Sequence, residues 1–443
     1  MSRTLVTASA ADSARTVRDV LLPVVAQGAI LRRPRFSQLA ERFNADERSL
    51  RRVRRLRDRY GDGPLLLRIP GRQVALILQP SDVWRVLDQT PEPFSAASTE
   101  KVAALRHFQP HAVLATDPPL RPLRRELNEA ALDSHQPVHR HGAAMLAVIT
   151  EELDTLHGTL GWTDFREIWS RIVRRIVLGD KSRDDTELTE QLDALRSNAN
   201  WAQFRPRDDA ALRRFRARLD QYVEAAEPGS LVHDLCSATN AAHPDARDPD
   251  ELDPAGQVPH WLFAFDAAGI ALWRLLAVLA TRPGEAATIA EEAAHPESSP
   301  LLAHAGAAFQ ESVRLWPTTL VVLREGRTDT EWDGRTAPAG TEFAIVSSVF
   351  HRDDEALDYA NRFEPASWLD GRSDGAWPII PFSAGPAVCP GRNVVLLTTS
   401  AATSHVIANY DLDLDPHTRE KLADAMPPTF DHTTPRLGFW RKH

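Results

Sequence analysis

A continuous apolar segment, Trp261–Ala280, constrains the fold of this chain more than any other feature. It is 20 residues long and carries only two charges, Asp266 and Arg274. A charge near the middle of a membrane span costs roughly 2.5–3.5 kcal/mol, and Arg282-Pro283-Gly284, which follows, stops a helix. We therefore expect a helix that is apolar on all sides because it runs through the core of a large soluble domain.

Outside this segment the sequence predicts a predominantly helical fold with a minor β part. Helical patterns recur over residues 38–60, most of 82–235, 258–282, 303–316 and 391–409. Strand patterns are concentrated in residues 64–78 and 320–346. No internal repeat or low-complexity linker divides the chain, so we expect residues 38–443 to form one large domain after an N-terminal extension, residues 1–37.

The composition excludes several classes of protein. A hydrophobic share of 43% with 26% charged residues is typical of a globular chain, and a net charge of −9 disfavours a general nucleic-acid binder. Cys236 and Cys389 make no zinc or disulfide pattern, and the N-terminus lacks an apolar signal region. We expect a cytoplasmic protein without nucleic-acid or membrane partners, in which the six arginines between residues 51 and 59 form a solvated helix face.

The segment Pro381–Arg392 carries the first candidate for chemistry. Cys389 lies in a Gly/Pro-rich loop just before a helix, whose free amides and positive end would favour a thiolate. Gly385 and Gly391 would let the backbone approach a large flat group. Taken alone, the cysteine could equally be buried and inert.

Two other features are weak evidence for a functional site when each is considered alone. Glu311 and Arg314 lie one helical turn apart, a spacing that usually gives a surface salt bridge. Arg324 ends an apolar strand, where it would face either a buried anion or the surface.

Together these pieces resemble the cytochrome P-450 family of haem-thiolate enzymes. Glu311-x-x-Arg314 is followed by Phe382-x-x-Gly385-x-x-x-Cys389-x-Gly391. Further matches occur in the family's order at Asp117-Pro118-Pro119 with Arg121 and Arg125, Ala339-Gly340-Thr341, His351-Arg352-Asp353 and Phe363-x-Pro365-x-x-Trp368. The resemblance covers roughly residues 50–440. It implies the cytochrome P-450 fold, with haem between the long central helix and the cysteine loop.

The resemblance also implies roles for these residues. Cys389 would be the axial thiolate of a haem b iron, within a haem-binding loop that includes Phe382, Gly385 and Gly391. The family pairs the haem propionates at the positions of Arg121, Arg125 and Arg324. Arg121 stands where histidine is usual, and Ala387 stands where many members have histidine or arginine. Glu311 and Arg314 would be structural.

The central helix departs from the family. Members usually have an acid and an alcohol there that deliver protons to iron-bound dioxygen, but this chain has Ala271 and Leu272 at those positions. Neither side chain can relay a proton. Asp266 lies five residues before Ala271, about 7.5 Å along the helix axis, too far to replace the missing acid directly. Its partner must come from another element of the structure.

The implied function is that of a soluble monooxygenase that oxidises a small organic molecule in secondary metabolism. Electrons from NAD(P)H would arrive indirectly, through ferredoxin and ferredoxin reductase. The expected substrate pocket consists of Ala264, Ala267, Ala268, Leu272, Thr319 and Leu320. One alternative is a haem-thiolate enzyme that uses peroxide, or a substrate N–O or O–O bond, instead of dioxygen. Another is a haem-binding sensor without turnover.

Overall fold

The computed structural model describes residues 3–61, 63–242, 252–295 and 302–442, and it is predominantly helical with a minor β part, as predicted. The α-helices are Ala10–Thr16, Leu22–Gln27, Pro34–Arg42, Ala45–Tyr60, Pro80–Asp88, Thr99–Leu105, Leu120–Ala131, Gly142–Leu153, Trp162–Leu178, Thr186–Ala199, Asp209–Ala225, Leu231–Ala242, Pro254–Leu279, Pro283–Ala294, Ala303–Leu315, Ser347–His351, Ala366–Leu369, Arg392–Asn409 and Pro416–Lys421. A π-helical turn, Val17–Leu21, joins the first two helices.

The strands form three small sheets. They are β1 (Arg3–Thr4), β2 (Leu65–Ile69), β3 (Arg72–Leu76), β4 (Phe94–Ser95), β5 (Gly158–Leu160), β6 (Val321–Gly326), β7 (Thr330–Trp332), β8 (Arg335–Ala337), β9 (Glu342–Val346), β10 (Tyr410–Leu414) and β11 (Leu437–Arg441). The largest sheet has the order β2-β3-β9-β6-β4, and the others are β1-β8-β7 and β10-β11-β5. The antiparallel pairing of β6 with β9 sets Arg324 opposite Phe343.

The apolar segment is a buried core helix, Pro254–Leu279, as predicted; we call it the central helix. The Asp253 carboxylate caps its first turn by accepting from the Gly256 amide at 3.0 Å. Among the described residues, the central helix is the one that is long and apolar enough to span a membrane. In its most apolar stretch of 18 residues, 72% is buried inside the protein. Neighbouring helices cover it closely. A Cβ at Gly269 would lie 2.5 Å from the Trp169 ring, so only glycine fits there.

Several helices and strands lie near their predicted bounds, but the sheet of β10, β11 and β5 was not predicted. The strands predicted in residues 64–78 are the hairpin of β2 and β3, in which Leu65 pairs with Leu76. The single helix predicted over residues 38–60 is instead two helices. The break lies at Asn44, whose backbone is left-handed with φ of 46°, a conformation that no helix interior accepts.

The first residues of the chain pack against the β-rich part of the molecule. Strand β1 pairs in parallel with β8, and Leu5 and Val20 are 4% and 0% exposed. Both belong to the apolar core that the hairpin and β9 also build. Residues 3–33 are therefore integrated into the fold.

The prediction of a solvated arginine face is right for Arg51, Arg55 and Arg59, which are exposed, but wrong for the other three arginines. Arg54 and Arg57 both pair with the buried carboxylate of Asp353, and Arg57 also donates to the Leu78 carbonyl at 2.9 Å. Arg52 is 8% exposed and lies 3.6 Å from Asp12. These arginines join the helix to neighbouring elements, because a guanidinium can bind several acceptors at once.

Candidate functional site

The cysteine loop is held between three elements. The Cys389 amide donates to the Phe382 carbonyl at 2.9 Å, which closes the loop on itself. Arg125, on the helix Leu120–Ala131, donates to the Val388 carbonyl at 2.7 Å. Ser134 donates to the Pro390 carbonyl at 2.6 Å. The sulfur is thus fixed just before the helix Arg392–Asn409, as the sequence predicted.

Gly385 has a different role from the one expected. Its backbone is left-handed, with φ of +64°, and a Cβ there would lie 2.3 Å from the Leu87 carbonyl oxygen. The close approach is therefore to the helix Pro80–Asp88 of the same chain. At Gly391 a Cβ would meet only ordinary contacts, 4.0 Å from the Cys389 sulfur. Packing within the chain accounts for the first glycine.

The environment of the Cys389 thiol does not by itself create a thiolate. Burial raises the pKa of Cys389, against the lowering effects of the Gly391 amide and of Arg125 and Arg392. The expected stabilisation by the helix end is present but smaller than the cost of desolvation. A cation bound at the sulfur would reverse this balance, since a coordinating thiol is deprotonated.

Glu311 and Arg314 form an interior ion pair, not a surface one. Both side chains are 0% exposed and are joined by two hydrogen bonds of 2.6 and 2.7 Å. Arg314 also donates to the carbonyl of His351 at 2.8 Å, and the Trp368 indole donates to Glu311 at 3.0 Å. The pair therefore joins its helix to the chain that leads towards the cysteine loop.

A group of interior cations lies near the loop: Arg121, Arg324 and Lys101. Burial and the charge of Arg121 lower the pKa of Arg324 to about 10. Burial, together with the charges of both arginines, lowers the pKa of Lys101. Arg324 donates to Thr90 at 3.0 Å and to Ser383 at 3.3 Å, which places it beside the loop.

None of these three cations has a carboxylate within 4 Å among the residues described. Arg121 donates to the Val113 carbonyl at 2.7 Å, and Lys101 donates to the Ala96 carbonyl at 2.6 Å. Buried charges without counterions are costly, so this group requires an anion. Arg125 differs from them, because it pairs with Glu129 at 2.6 Å.

The expected pocket residues fall into two sets. The first set is accessible to solvent. Ala264 and Ala267 lie on one face of the central helix and are half-buried, as is Leu320, whereas Thr319 is exposed. The others, Ala268, Ala271 and Leu272, are 6%, 1% and 1% exposed. The Ala271 carbonyl accepts a hydrogen bond of 2.9 Å from Ser312. The first set therefore offers open surface, whereas the second is packed into the core.

Asp266 is satisfied by partners from other helices, as predicted. Its carboxylate accepts from Arg166 at 3.0 Å and from Arg196 at 2.8 Å, and Asp193 pairs with both arginines. Burial alone would raise the pKa of Asp266, but the two arginines lower it to about 2. An acid held in this way stays ionised and is not available as a proton donor.

Trp273, which follows Leu272 on the central helix, is packed into the core. It is 0% exposed, and its ring centroid lies 4.9 Å from that of Phe165 and 6.3 Å from that of Phe439. These residues belong to the helix Trp162–Leu178 and to β11. One residue is 100° of helical turn, which is enough to place Trp273 on another face.

Lys101 is a site residue that sequence reasoning missed. It belongs to none of the motifs in the sequence, and the structure places it on the helix Thr99–Leu105. The available signal was its rarity, because only four of the 52 basic residues are lysine. A lysine in a chain that otherwise uses arginine indicates a position where the type of cation could matter.

Residues 298–437 match the family model described as cytochrome P-450. This segment of the chain is therefore similar to the cytochrome P-450 family.

Curated relatives match parts of the chain. One is cyclooctat-9-en-7-ol 5-monooxygenase from Streptomyces melanosporofaciens, 34% identical over 117 residues, which cover 26% of this chain and 25% of that protein. Another is taxane 10-beta-hydroxylase from Taxus cuspidata, 28% identical over 124 residues, with coverages of 27% and 25%. The matched segments therefore span about a quarter of these relatives' own length.

Solved structures match over most of the chain. A cytochrome P-450 crystal structure superposes with a TM-score of 0.71 at 16% identity, covering 89% of this chain and 94% of that one. A cyanobacterial member with retinoic acid bound gives 0.67 at 17% identity, with coverages of 88% and 94%. These matches show that the fold extends well beyond the segment with recognisable sequence similarity.

The donor set fits the haem that the family implies. Cys389 offers a sulfur ligand in a fixed loop, and Gly391 leaves that sulfur clear. Arg121, Arg324 and Lys101 are cations in need of an anion, and a haem carries two propionates.

The cation group gives a direct test of haem retention. We expect Arg324→Ala to weaken haem binding by roughly 3–5 kcal/mol, because a buried propionate would lose its charge partner. Haem loss to apomyoglobin measures the effect. Arg106→Ala is the matched control, because Arg106 is exposed and directly follows the helix Thr99–Leu105. Equal rates of haem loss in the two variants would show that Arg324 does not face a propionate.

Proposed function

We propose that this protein is a haem-thiolate oxidoreductase that oxidises a small organic molecule, as cytochrome P-450 monooxygenases do. One observation carries the proposal: the loop that fixes the Cys389 sulfur also contacts Arg324, through Ser383, and Arg324 belongs to a group of interior cations without a carboxylate within 4 Å among the described residues. An anionic, cysteine-ligated cofactor satisfies both requirements together. Haem b is the group of this kind that the family uses.

Each residue of the site has a separate role in binding the haem or the substrate. When bound, the haem iron supplies oxidising chemistry that an electron-donating thiolate favours. Cys389 ligates the iron, and Arg121 and Arg324 hold the propionates. Ala264 and Ala267 keep the facing side of the central helix small, which leaves room for a substrate. The buried Glu311–Arg314 pair keeps the supporting helix and loop in register.

Substrate, partners and location follow from the same proposal. Relatives named as a cyclooctat-9-en-7-ol 5-monooxygenase and a taxane 10-beta-hydroxylase support an organic substrate from secondary metabolism. Ferredoxin and ferredoxin reductase would deliver electrons from NAD(P)H. The central helix is mostly buried, which supports a soluble protein. Both cysteines are free thiols, which supports a location in the reducing cytoplasm.

A second function is favoured by the central helix. Ala271 and Leu272 are apolar and buried, and Asp266 is held by two arginines, so no described side chain at these positions supplies a proton. An enzyme without this proton relay could instead use peroxide as its oxidant. It could also act on a substrate that already contains an N–O or O–O bond.

The two functions differ in the oxidant they need. If the protein is a monooxygenase, product should form with reductase, ferredoxin, NAD(P)H and dioxygen, and should fall to background when oxygen is removed. If it is a peroxide enzyme, peroxide alone should support at least as much product. A library of terpenoid and fatty substrates, analysed by mass spectrometry, measures both. Turnover by the Cys389→Ala variant at the level of the parent protein would contradict both functions.

A further inference from the structure

A small cavity lies where the helices Trp162–Leu178 and Thr186–Ala199 meet the central helix. Its volume is about 30 Å³. A space of this size holds one or two groups as small as a water molecule or a halide ion, but not a phosphate or a carboxylic acid. Five charged side chains line it: Arg166, Arg174, Asp193, Arg196 and Asp266.

Four of these five charges neutralise one another. The Asp266 carboxylate lies 3.0 Å from Arg166 and 2.8 Å from Arg196. The Asp193 carboxylate lies 2.6 Å and 3.1 Å from the same two arginines. Each carboxylate is therefore shared by both guanidinium groups, and the group of four has no net charge. It has no negative charge left over for the fifth residue, Arg174.

Arg174 is a buried cation whose hydrogen bonds all go to neutral groups. It is 3% exposed, and it donates to the Ser182 carbonyl at 2.9 Å, to the Arg183 carbonyl at 2.5 Å and to the Thr189 hydroxyl at 2.8 Å. In the part of the chain that the structure describes, no carboxylate lies within 4 Å of it. The lining of the cavity therefore has a net charge of one positive unit, which is costly in an interior.

The acids nearest to Arg174 are engaged elsewhere. Burial lowers the pKa of Arg174, and the more distant charges of Asp185 and Asp184 oppose this effect. Asp185 accepts from Arg218 at 2.8 Å and from Tyr222 at 2.7 Å. Asp184 is 82% exposed, so solvent screens its charge. Neither acid lines the cavity.

The cavity lining also contains hydrogen-bond donors that have no acceptor. The Nε of Arg196 is shielded from solvent and has no hydrogen-bond partner, although its side chain is only 4% exposed. The Thr189 hydroxyl accepts from Arg174 and so keeps its own proton to donate. Ser170, one helical turn before Arg174, contributes a third donor. Donors together with a positive net charge favour an anion over a cation.

We infer that this cavity binds a single halide ion, with chloride as the ordinary ligand. The ion would accept from the Arg196 Nε and from the hydroxyls of Ser170 and Thr189, and its charge would neutralise that of Arg174. It would thereby join the helix Thr186–Ala199 to the helix Trp162–Leu178. The site is independent of the proposed function, because Leu262 and Asp266 line it from the face of the central helix opposite to Ala264.

Two measurements on the haem-loaded protein test for the ion. Anomalous diffraction from crystals grown in bromide should show a bromide ion in the cavity, because bromide scatters anomalously and water does not. In solution, thermal unfolding in potassium chloride and in potassium gluconate is compared at equal ionic strength, since gluconate is too large for the cavity. Chloride at ten times its Kd should raise the Tm by about 1–2 °C relative to gluconate.

Two variants locate the effect at the cavity. Ser170→Leu keeps every charge but fills the space, and Arg174→Gln removes the unneutralised charge. Each should weaken halide binding about ten-fold or more, so that the bromide peak and the chloride-dependent rise in Tm both disappear. Arg213→Gln is the matched control, because it removes the same charge from an exposed position on the helix Asp209–Ala225. It should keep both signals.

The parent protein alone can overturn the inference, even if a variant fails to fold. A cavity that holds only water in bromide-grown crystals would overturn it, and so would equal Tm values in chloride and gluconate. A chloride-dependent rise in Tm that survives in Ser170→Leu and in Arg174→Gln would show that the ion binds elsewhere, which also overturns it. A bromide peak in the parent that is lost in both variants and kept in Arg213→Gln supports the halide site.

Discussion

Replacing Cys389 with alanine is expected to abolish the thiolate signature in the spectrum of the reduced carbon monoxide complex, together with all turnover. The Cys389 sulfur would ligate the haem iron, and the other cysteine of the chain, Cys236, belongs to a different element. Cys236 lies on the helix Leu231–Ala242, where its thiol contacts the Val223 carbonyl at 3.7 Å. Absorption spectroscopy of the purified haem complex measures the change.

The second cysteine provides the matched control. Burial raises the pKa of Cys236, so its thiol is protonated and behaves as a small apolar side chain. Cys236→Ala should therefore keep the spectrum, the turnover and nearly all of the stability. A thiolate spectrum that persists in Cys389→Ala would remove the assignment of Cys389 as the ligand.

Replacing Glu311 with alanine is expected to destabilise the fold by roughly 3–5 kcal/mol, because it leaves the Arg314 guanidinium buried without a counter-charge. Both side chains are 0% exposed, so water cannot compensate. The loss also removes the acceptor for the Trp368 indole. Thermal unfolding and the rate of haem release, measured on the haem-loaded protein, should change together, because the pair supports the chain that leads to the cysteine loop.

An exposed ion pair from the same region gives the comparison. Asp370 and Arg372 pair at 2.8 Å with 45% and 39% of their side chains exposed. Asp370→Ala should change the stability far less than Glu311→Ala does, because solvent screens a surface pair. If Glu311→Ala were no more damaging than Asp370→Ala, the interior pair would not be a structural support.

Several features of the fold were predictable because they depend on local pattern. The apolar central helix had to be buried, since both its length and its composition excluded a surface position. The hairpin of β2 and β3 was given by two apolar runs around a Pro-Gly turn. The ordered motifs around Glu311 and Cys389 identified the family, and the structure brings those two segments into one assembly.

Other features could not be predicted because they depend on which side chains meet. The sequence showed that Asp266 needed a partner from another element, but only packing supplies Arg166 and Arg196. Packing against Phe165 and Phe439 puts Trp273 in the core. Close contact with the Leu87 carbonyl requires glycine at position 385, and no pattern in the sequence indicated that contact.

The sequence by itself determined the helical class, the position of the cysteine loop and the absence of an acid and an alcohol at Ala271 and Leu272, because these are properties of residue type and spacing along one chain. The tertiary structure decided which charges are paired. Arg54 and Arg57 found Asp353, whereas Arg32, Arg274 and Lys101 have no carboxylate within 4 Å among the described residues. Charge pairing depends on distances of a few ångströms between residues far apart in the chain, and only the folded chain sets those distances.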